Sequence, residues 1–287
     1  MGVKINDANR GFIYAEADKL KGCEIHLDYP SVGATENIMM AGVVAEGETI
    51  IRNAAREPEI VDLQRFLNGI GANVQGAGSS VIRINGSDKP FRTIEHTVMP
   101  DRIVAGTYMV AAGITSGDIL LKNVVPEHII PIIYNLRECG CKVYSKENTL
   151  RIIGPARPRA IDIVRTLPHP GFPTDMQAQL VSMLSIARGT SIVVETVFEN
   201  RYKHVEELLR MGASIKLEGR LAVIKGVKKL IGASVSAKDL RGGAALVLAG
   251  LIAEGQTTVN DIKHIDRGYE KLEDKLSQVG ALIVRGD

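Results

Sequence analysis

The sequence has few cysteines, no excess of either charge and no long apolar run. Its three cysteines, Cys23, Cys139 and Cys141, make neither an even disulfide set nor a C-x-x-C pair. A disulfide framework is excluded, and a cytoplasmic protein with reduced thiols is the expectation. With 35 basic and 33 acidic residues the net charge is +2. That is too even to argue for a nucleic-acid partner, although local basic clusters can still hold a small anion. The most apolar long stretch, 242–253 (GGAALVLAGLIA), falls below the roughly 18 residues that a membrane span needs. The opening MGVKINDANRG carries no apolar signal region, and Asn6 stands where a myristoylation signal wants Ser or Thr. The six histidines show no metal-ligand spacing and no cysteine pairs with them, so no structural zinc is expected. No P-loop and no G-x-G-x-x-G follows a strand pattern, which argues against nucleotide hydrolysis and a dinucleotide cofactor.

What the sequence does have is repetition. LNGIGANV (67–74), LRECGCKV (136–143), LLRMGASI (208–215) and LSQVGALI (276–283) share one shape: the end of an amphipathic helix, a turning glycine, then a strand. The glycines are Gly71, Gly140, Gly212 and Gly280, at steps of 69, 72 and 68. A second marker (Gly47, Gly117, Gly189, Gly255) precedes each by 23 to 25 residues. Two markers in register over four copies define a repeat. Each unit reads as two short strands, such as 214–217 and 221–225, then another strand, then a helix such as 239–254 with small and apolar residues nearly all round, hence buried. A strand and a more amphipathic helix, such as 269–279, complete it. The fold class is mixed α/β, in units of about 70 residues. Gly2 matches Gly212 as a fifth marker without its preceding helix, so a start inside a repeating structure is expected.

The loops that enter the buried helices carry the chemistry. DYPSVGATEN (28–37), MPDRIVAGT (99–107), FPTDMQAQ (172–179) and KDLRGGAA (238–245) each bring a capping residue, Ser31, Asp101, Asp175 or Asp239, to a helix start. Singly, each is a cap. Together, like units bring helix N-termini toward one surface, where free N–H groups and dipole ends favour anions. Arg102, Arg201, Arg241 and Arg267 crowd the same or neighbouring loops, and a guanidinium fork matches phosphate and carboxylate oxygens. A substrate with several negative charges is the expectation. In 165–177 (RTLPHPGFPTDMQ), three prolines stiffen the loop and aim Asp175, a carboxylate able to accept a proton. His169, inside it, reads as structural.

Motifs along the whole chain, SVGATENIMMA (31–41), AAREPEIVDL (54–63), PDRIVAGT (100–107), PHPGFPTDMQAQ (168–179), ETVFENRYKHV (195–205), DLRGGAALVLAGLIAEG (239–255) and HIDRGYE (264–270), resemble the bacterial UDP-N-acetylglucosamine 1-carboxyvinyltransferases. The sister enzyme of the shikimate pathway shares the fold but not PHPGFPTDMQAQ or HIDRGYE. The resemblance implies an enolpyruvyl-transferase-like inside-out α/β barrel, with four of the family's six units present. It also implies transfer of the enolpyruvyl group of phosphoenolpyruvate to the 3-hydroxyl of UDP-N-acetylglucosamine, the first committed step of peptidoglycan synthesis, without metal or organic cofactor. By motif, Asp175 is the base at the sugar hydroxyl. Ser31, Val32 and Gly33 present a helix start to the diphosphate, and Val197 lines the sugar-nucleotide pocket. Arg201, Arg241 and Arg267 hold phosphate or carboxylate, with Asp239 orienting one of them.

The departures shape the remaining expectations. In the family, about 130 further N-terminal residues, close to two units of the repeat, hold a Lys-Asn pair and a mobile loop with a Cys or Asp proton donor; none of the three cysteines here sits in such a loop. Residues 1–99 are then the last unit of one lobe, and 100–287 a second lobe short of one N-terminal strand. A truncated, inactive enzyme is expected, with self-association through its open faces; a non-catalytic UDP-sugar-binding remnant is the alternative. RNA 3′-phosphate cyclases, built of related units, are a third reading that the balanced charge and the motifs argue against.

Overall fold

The repeat folds as a strand, a helix, a second strand, an amphipathic helix and a hairpin. The first helix, expected to be buried, is largely so at α3, α5 and α7 but at α1 buries only Thr35, Met39 and Gly42. The computed structural model describes residues 1–8, 12–89 and 91–286, with the backbone alone at 7 and 8. The chain divides into one unit of residues 1–99 with 168–170 and another of 100–167 with 171–287.

In the first unit, β1 (Lys4–Ala8) and β2 (Phe12–Glu16) pair antiparallel and, among the described residues, only with each other. One whole repeat follows: β3 (Glu24–His26), α1 (Val32–Gly42), β4 (Glu48–Arg52), α2 (Pro58–Gly69), β5 (Asn73–Gln75) and β6 (Val81–Asn85). Its sheet runs β3-β4-β6-β5, parallel in the first pair and antiparallel thereafter. Strand β4 alternates buried and outward residues, the period-2 signature of a half-buried strand. Ile51, Ile82 and Ile84 from this sheet meet Met39, Ile60 and Leu67 from the two helices in one core.

The second unit begins with α3 (Arg102–Thr115), β7 (Asp118–Lys122), α4 (Ile130–Glu138), β8 (Lys142–Lys146) and β9 (Thr149–Ile153). Next come β10 (Ile163–Arg165), α5 (Gln177–Leu184), β11 (Thr190–Val194), α6 (Val205–Arg210), β12 (Ser214–Glu218) and β13 (Leu221–Lys225). The last stretch holds β14 (Ser234–Ser236), α7 (Leu240–Gly250), β15 (Thr258–Asn260), α8 (Lys263–Asp266) and α9 (Leu272–Gln278). The sheet β10-β11-β13-β12 copies the order of the first complete one, while β7-β9-β8 and β14-β15 are partial versions. Among the described residues of this second unit, no strand precedes α3 or follows α9.

Helices α3, α5 and α7 touch one another at the centre of this unit. Every residue of α5 is buried, including the polar Gln179 and Ser182, whose side chains donate to Thr107 and Tyr269 and to the Ala245 carbonyl, respectively. The sheets lie outside the helices and do not close into a continuous barrel. This is the inside-out α/β arrangement.

Three local details differ from the sequence reading. The helix expected over 239–254 spans Leu240–Gly250, because Asp239 is its cap. The helix expected from Tyr269 starts at Leu272, after Lys271 takes a left-handed φ of 47°. The strand expected after Gly280 is unpaired. A third glycine marker also emerges. The amides of Gly86, Gly154 and Gly226 donate to the carbonyls of Gly47, Gly117 and Gly189 at 3.0, 2.8 and 3.0 Å. A Cβ on Gly86, Gly154 or Gly226 would stand 1.7, 2.2 or 1.8 Å from the carbonyl oxygen of Ala45, Ala112 or Ala187. The return strand of each hairpin therefore crosses the chain at or just past the end of the unit's first helix, at a distance that admits only glycine.

Candidate active site

Asp175 occupies a single 3-10 turn, Thr174–Met176, that leads into α5. Since α5 itself is buried, its entry turn is where the element can meet solvent. The Asp175 side chain is 39% exposed and is gripped by two better-buried arginines. Oδ1 accepts from Nη2 of Arg201, in the loop before α6, and Oδ2 accepts from Nη2 of Arg241, in the first turn of α7, at 3.2 Å. Each guanidinium lies over a ring, Arg201 at 5.1 Å from the centre of Phe198 and Arg241 at 5.5 Å from that of Tyr269. Burial works against the Arg241 charge, but the Asp175 carboxylate and Tyr269 outweigh it, so its pKa lies above the usual guanidinium value. Arg201 Nε and Arg241 Nη1 are buried and have no hydrogen-bond partner among the described residues. Unsatisfied buried donors on paired cations are an opening for an anion's oxygens.

Asp239 lies close by but is engaged as a cap: its Oδ1 accepts from the Gly242 amide at 2.8 Å. No hydrogen bond joins it to either arginine. Gly242 is hemmed in, with 3.1 Å from its would-be Cβ to both the Asp239 carboxylate and the Cβ of His204. His204 is wholly buried, and burial pushes its pKa down to about 4, with Asp239 opposing and Arg201 assisting. It is therefore neutral at pH 7. Val197 is half-buried and its amide donates to Glu195 Oε1 at 2.8 Å. Arg267, at the end of α8, is exposed and has no ion pair among the described residues.

Ser31, Val32 and Gly33 belong to the first unit. Ser31 Oγ accepts from the Ala34 amide at 3.3 Å and caps α1. The amides of Val32 and Gly33 are left in the first turn, where a helix has no partners of its own to offer. A Cβ on Gly33 would meet nothing within 4 Å, so this turn faces open space.

The fold thus brings Asp175, Arg201 and Arg241 into one cluster, places Asp239 beside it as a cap, and leaves Arg267 unpaired. The sequence reading missed Glu195, Tyr269 and His204. For Glu195 a signal existed: Ser191, Val193 and Glu195 share strand parity, and all three are buried. Tyr269 had no local signal, because its partners Thr107 and Gln179 are 162 and 90 residues away.

Burial raises the thiol pKa of Cys139 to about 12 and of Cys141 to about 11. Among the described residues, no cluster of His, Cys, Asp or Glu could hold a metal ion, and no helix is long and apolar enough to cross a membrane.

Residues 1–276 match the EPSP synthase (3-phosphoshikimate 1-carboxyvinyltransferase) family. UDP-N-acetylglucosamine 1-carboxyvinyltransferase 1 of Caldanaerobacter subterraneus subsp. tengcongensis is 59% identical over 96% of the chain and 66% of its own length. UDP-N-acetylglucosamine 1-carboxyvinyltransferase 2 of the same organism is 56% identical, covering 99% of the chain and 68% of its own length. The chain therefore spans about two thirds of these relatives. Among solved structures, the enolpyruvyl transferase NikO from Streptomyces tendae superposes with a TM-score of 0.86 at 25% identity, over 98% of this chain and 69% of NikO. An EPSP synthase from Acinetobacter baumannii gives a TM-score of 0.75 at 20% identity, over 98% of this chain and 68% of its own, a likeness of fold alone.

Proposed function

Because the chain belongs to the EPSP synthase family, on the branch of the UDP-N-acetylglucosamine 1-carboxyvinyltransferases, we propose that it serves the transfer of an enolpyruvyl group from phosphoenolpyruvate to the 3-hydroxyl of UDP-N-acetylglucosamine. This is the first committed step of peptidoglycan synthesis, and it would take place in the cytoplasm. The observation that carries the reading is Asp175 held between two half-buried arginines, each keeping one buried, unused donor.

In this reading the sugar hydroxyl oxygen bonds to C2 of phosphoenolpyruvate while its proton passes to Asp175. C3 gains a proton from an acid, and a tetrahedral intermediate forms. Phosphate then leaves C2 as C3 gives a proton back. Arg201 and Arg241 would hold the phosphate and carboxylate oxygens bidentately. As the anion draws the guanidinium donors toward itself, an Asp175 oxygen becomes free for the hydroxyl proton. The first turn of α1, from Ser31 to Gly33, would offer its amides to the diphosphate. Val197 would border the sugar-nucleotide, Arg267 would add a third cation, and Asp239 would keep the start of α7, and so Arg241, in place.

We take the acid that protonates C3 to lie in the third of its relatives that this chain does not span; Cys139 and Cys141 are buried and far too weakly acidic to replace it. The chain alone would then bind UDP-N-acetylglucosamine without turnover. Residues 1–99 would be the last repeat of one lobe and 100–287 most of the other. Calorimetry with UDP-N-acetylglucosamine is expected to show binding that Arg241→Ala weakens. Phosphate release is expected only once the N-terminal third of a relative is supplied. Turnover by the chain alone would sink the inactivity; absence of binding would sink the substrate. Self-association is part of the same reading, since the β1–β2 hairpin exposes Phe12, Ile13 and Tyr14 at 67%, 73% and 64% and pairs with no other strand. Sedimentation that finds only monomers at all concentrations would remove it.

A further inference from the structure

Glu195 is 1% exposed, carries a carboxylate, and forms no ion pair among the described residues. A buried charge without a counter-ion is expensive unless neutral donors replace its water. Four do so. Oε1 accepts from the Thr166 hydroxyl at 2.9 Å, the Val197 amide at 2.8 Å and the Phe198 amide at 3.1 Å; Oε2 accepts from the Thr174 hydroxyl at 2.9 Å. An ionised carboxylate is acceptor-only, with about four sites, so its capacity is matched to these donors.

The donors lie on both sides of the candidate site. Thr174 is bonded directly to Asp175. Phe198 carries the ring beneath Arg201, and Arg201 donates to Asp175. The contacts close a ring: Glu195, Thr174, Asp175, Arg201, Phe198 and back to Glu195. We infer that Glu195 is the positioning residue of this site, tying the turn that carries Asp175 to the loop that carries Phe198 and thereby fixing the Asp175–Arg201 pair. What the pair is used for rests on the function proposed above; the ring of contacts does not.

Two of the donors separate this role from a merely structural one. Thr174 is a link of the ring, whereas Thr166 holds the same carboxylate from β10's end and makes no hydrogen bond to Asp175 or Phe198. The full chain would be labelled with 15N-arginine, and the rotation of the Arg201 guanidinium about its Nε–Cζ bond followed by NMR. Thr174→Val is expected to speed that rotation severalfold, up to about tenfold if the whole of one lost hydrogen bond is felt at Arg201. Thr174→Ser, which keeps the hydroxyl, is expected to restore the wild-type rate. Thr166→Val is expected to lower the melting temperature and leave Arg201 unchanged. If Thr174→Val leaves the Arg201 rotation unchanged, or Thr166→Val raises it as much, Glu195 is a structural anchor only and the inference is overturned. Calorimetry with UDP-N-acetylglucosamine on the same samples tests the substrate separately. A wild-type chain that fails to bind while Arg201 responds to Thr174→Val refutes the proposed substrate and leaves the positioning role standing.

Discussion

Removing one hydroxyl, by Tyr269→Phe, tests how the centre of the second unit is held together. Tyr269 is 2% exposed, and its hydroxyl lies 2.9 Å from Thr107 Oγ1 on α3 and 3.2 Å from Gln179 Nε2 on α5. Thr107 Oγ1 already donates to the Ile103 carbonyl at 2.8 Å and accepts from Gln179 Nε2 at 3.1 Å. The tyrosine hydroxyl must therefore donate to Thr107 and accept from Gln179. Phenylalanine keeps the ring and its packing but leaves one buried amide N–H of Gln179 without an acceptor. Leaving a buried polar group unsatisfied costs about 1–3 kcal/mol. At about 2–4 °C per kcal/mol for a domain of this size, a loss near 2 kcal/mol lowers the melting temperature by about 4–8 °C. Scanning calorimetry of Tyr269→Phe, Thr107→Val and the double variant provides the check, since partners in one network give non-additive losses. A melting temperature unchanged within about 1 °C for Tyr269→Phe, on the same scale of a few degrees per kcal/mol, would refute the argument that this network stabilises the three-helix core.

Gly154→Ala forces a Cβ to within 2.2 Å of the Ala112 carbonyl oxygen and is expected to abolish soluble expression or lower the urea midpoint severely. Gly33→Ala, in open space on α1, is expected to be neutral or to stabilise by up to about 1 kcal/mol; equal effects of the two would remove the close-approach argument. Burial places the folded-state pKa of His204 at about 4, below its ordinary 6.5, so the unfolded chain binds the extra proton as pH falls. Its contribution is present above about pH 6.5 and is lost toward pH 4, amounting to about 2 kcal/mol between pH 7 and pH 5. Urea melts at the two pH values should show that difference in the wild type and a shallower one in His204→Gln; identical slopes would contradict it. With Cys139 and Cys141 buried and Cys23 half-buried, a thiol reagent is expected to modify Cys23 first in the native chain and the other two only on denaturation. Rapid native-state modification of all three would show the interior to be more open than described.

Much of the fold can be read locally. The turning glycines Gly71, Gly140, Gly212 and Gly280 take φ of 108°, 99°, 84° and 98°, as a glycine after a helix should. Asp101, Asp239 and Ser31 cap the helices they precede, because a cap joins atoms only a few residues apart. Asp175, also expected as a cap, sits inside a 3-10 turn instead and makes no cap bond, its oxygens being taken by Arg201 and Arg241. The second marker was less faithful: in the α3 copy Ser116, not Gly117, takes the left-handed conformation, at φ 59°. The glycines at 86, 154 and 226 recur at steps of 68 and 72, close to those of the other markers, yet their purpose is invisible without the carbonyls they cross.

The sequence by itself determined the repeat, the type of each main element, the glycine turns, the caps, and the likeness to one enzyme family. Each of these depends on residues within about one turn or hairpin of each other, or on motifs that remain recognisable as linear strings. Tertiary structure decided which charges meet. Asp175 is 26 residues from Arg201 and 66 from Arg241; the packing of α5 against α7 brings Arg241 to it, and the loop before α6 brings Arg201. It also turned Glu195 from one acid among 33 into a buried carboxylate with four donors, since burial belongs to the packing around a residue and not to the residue.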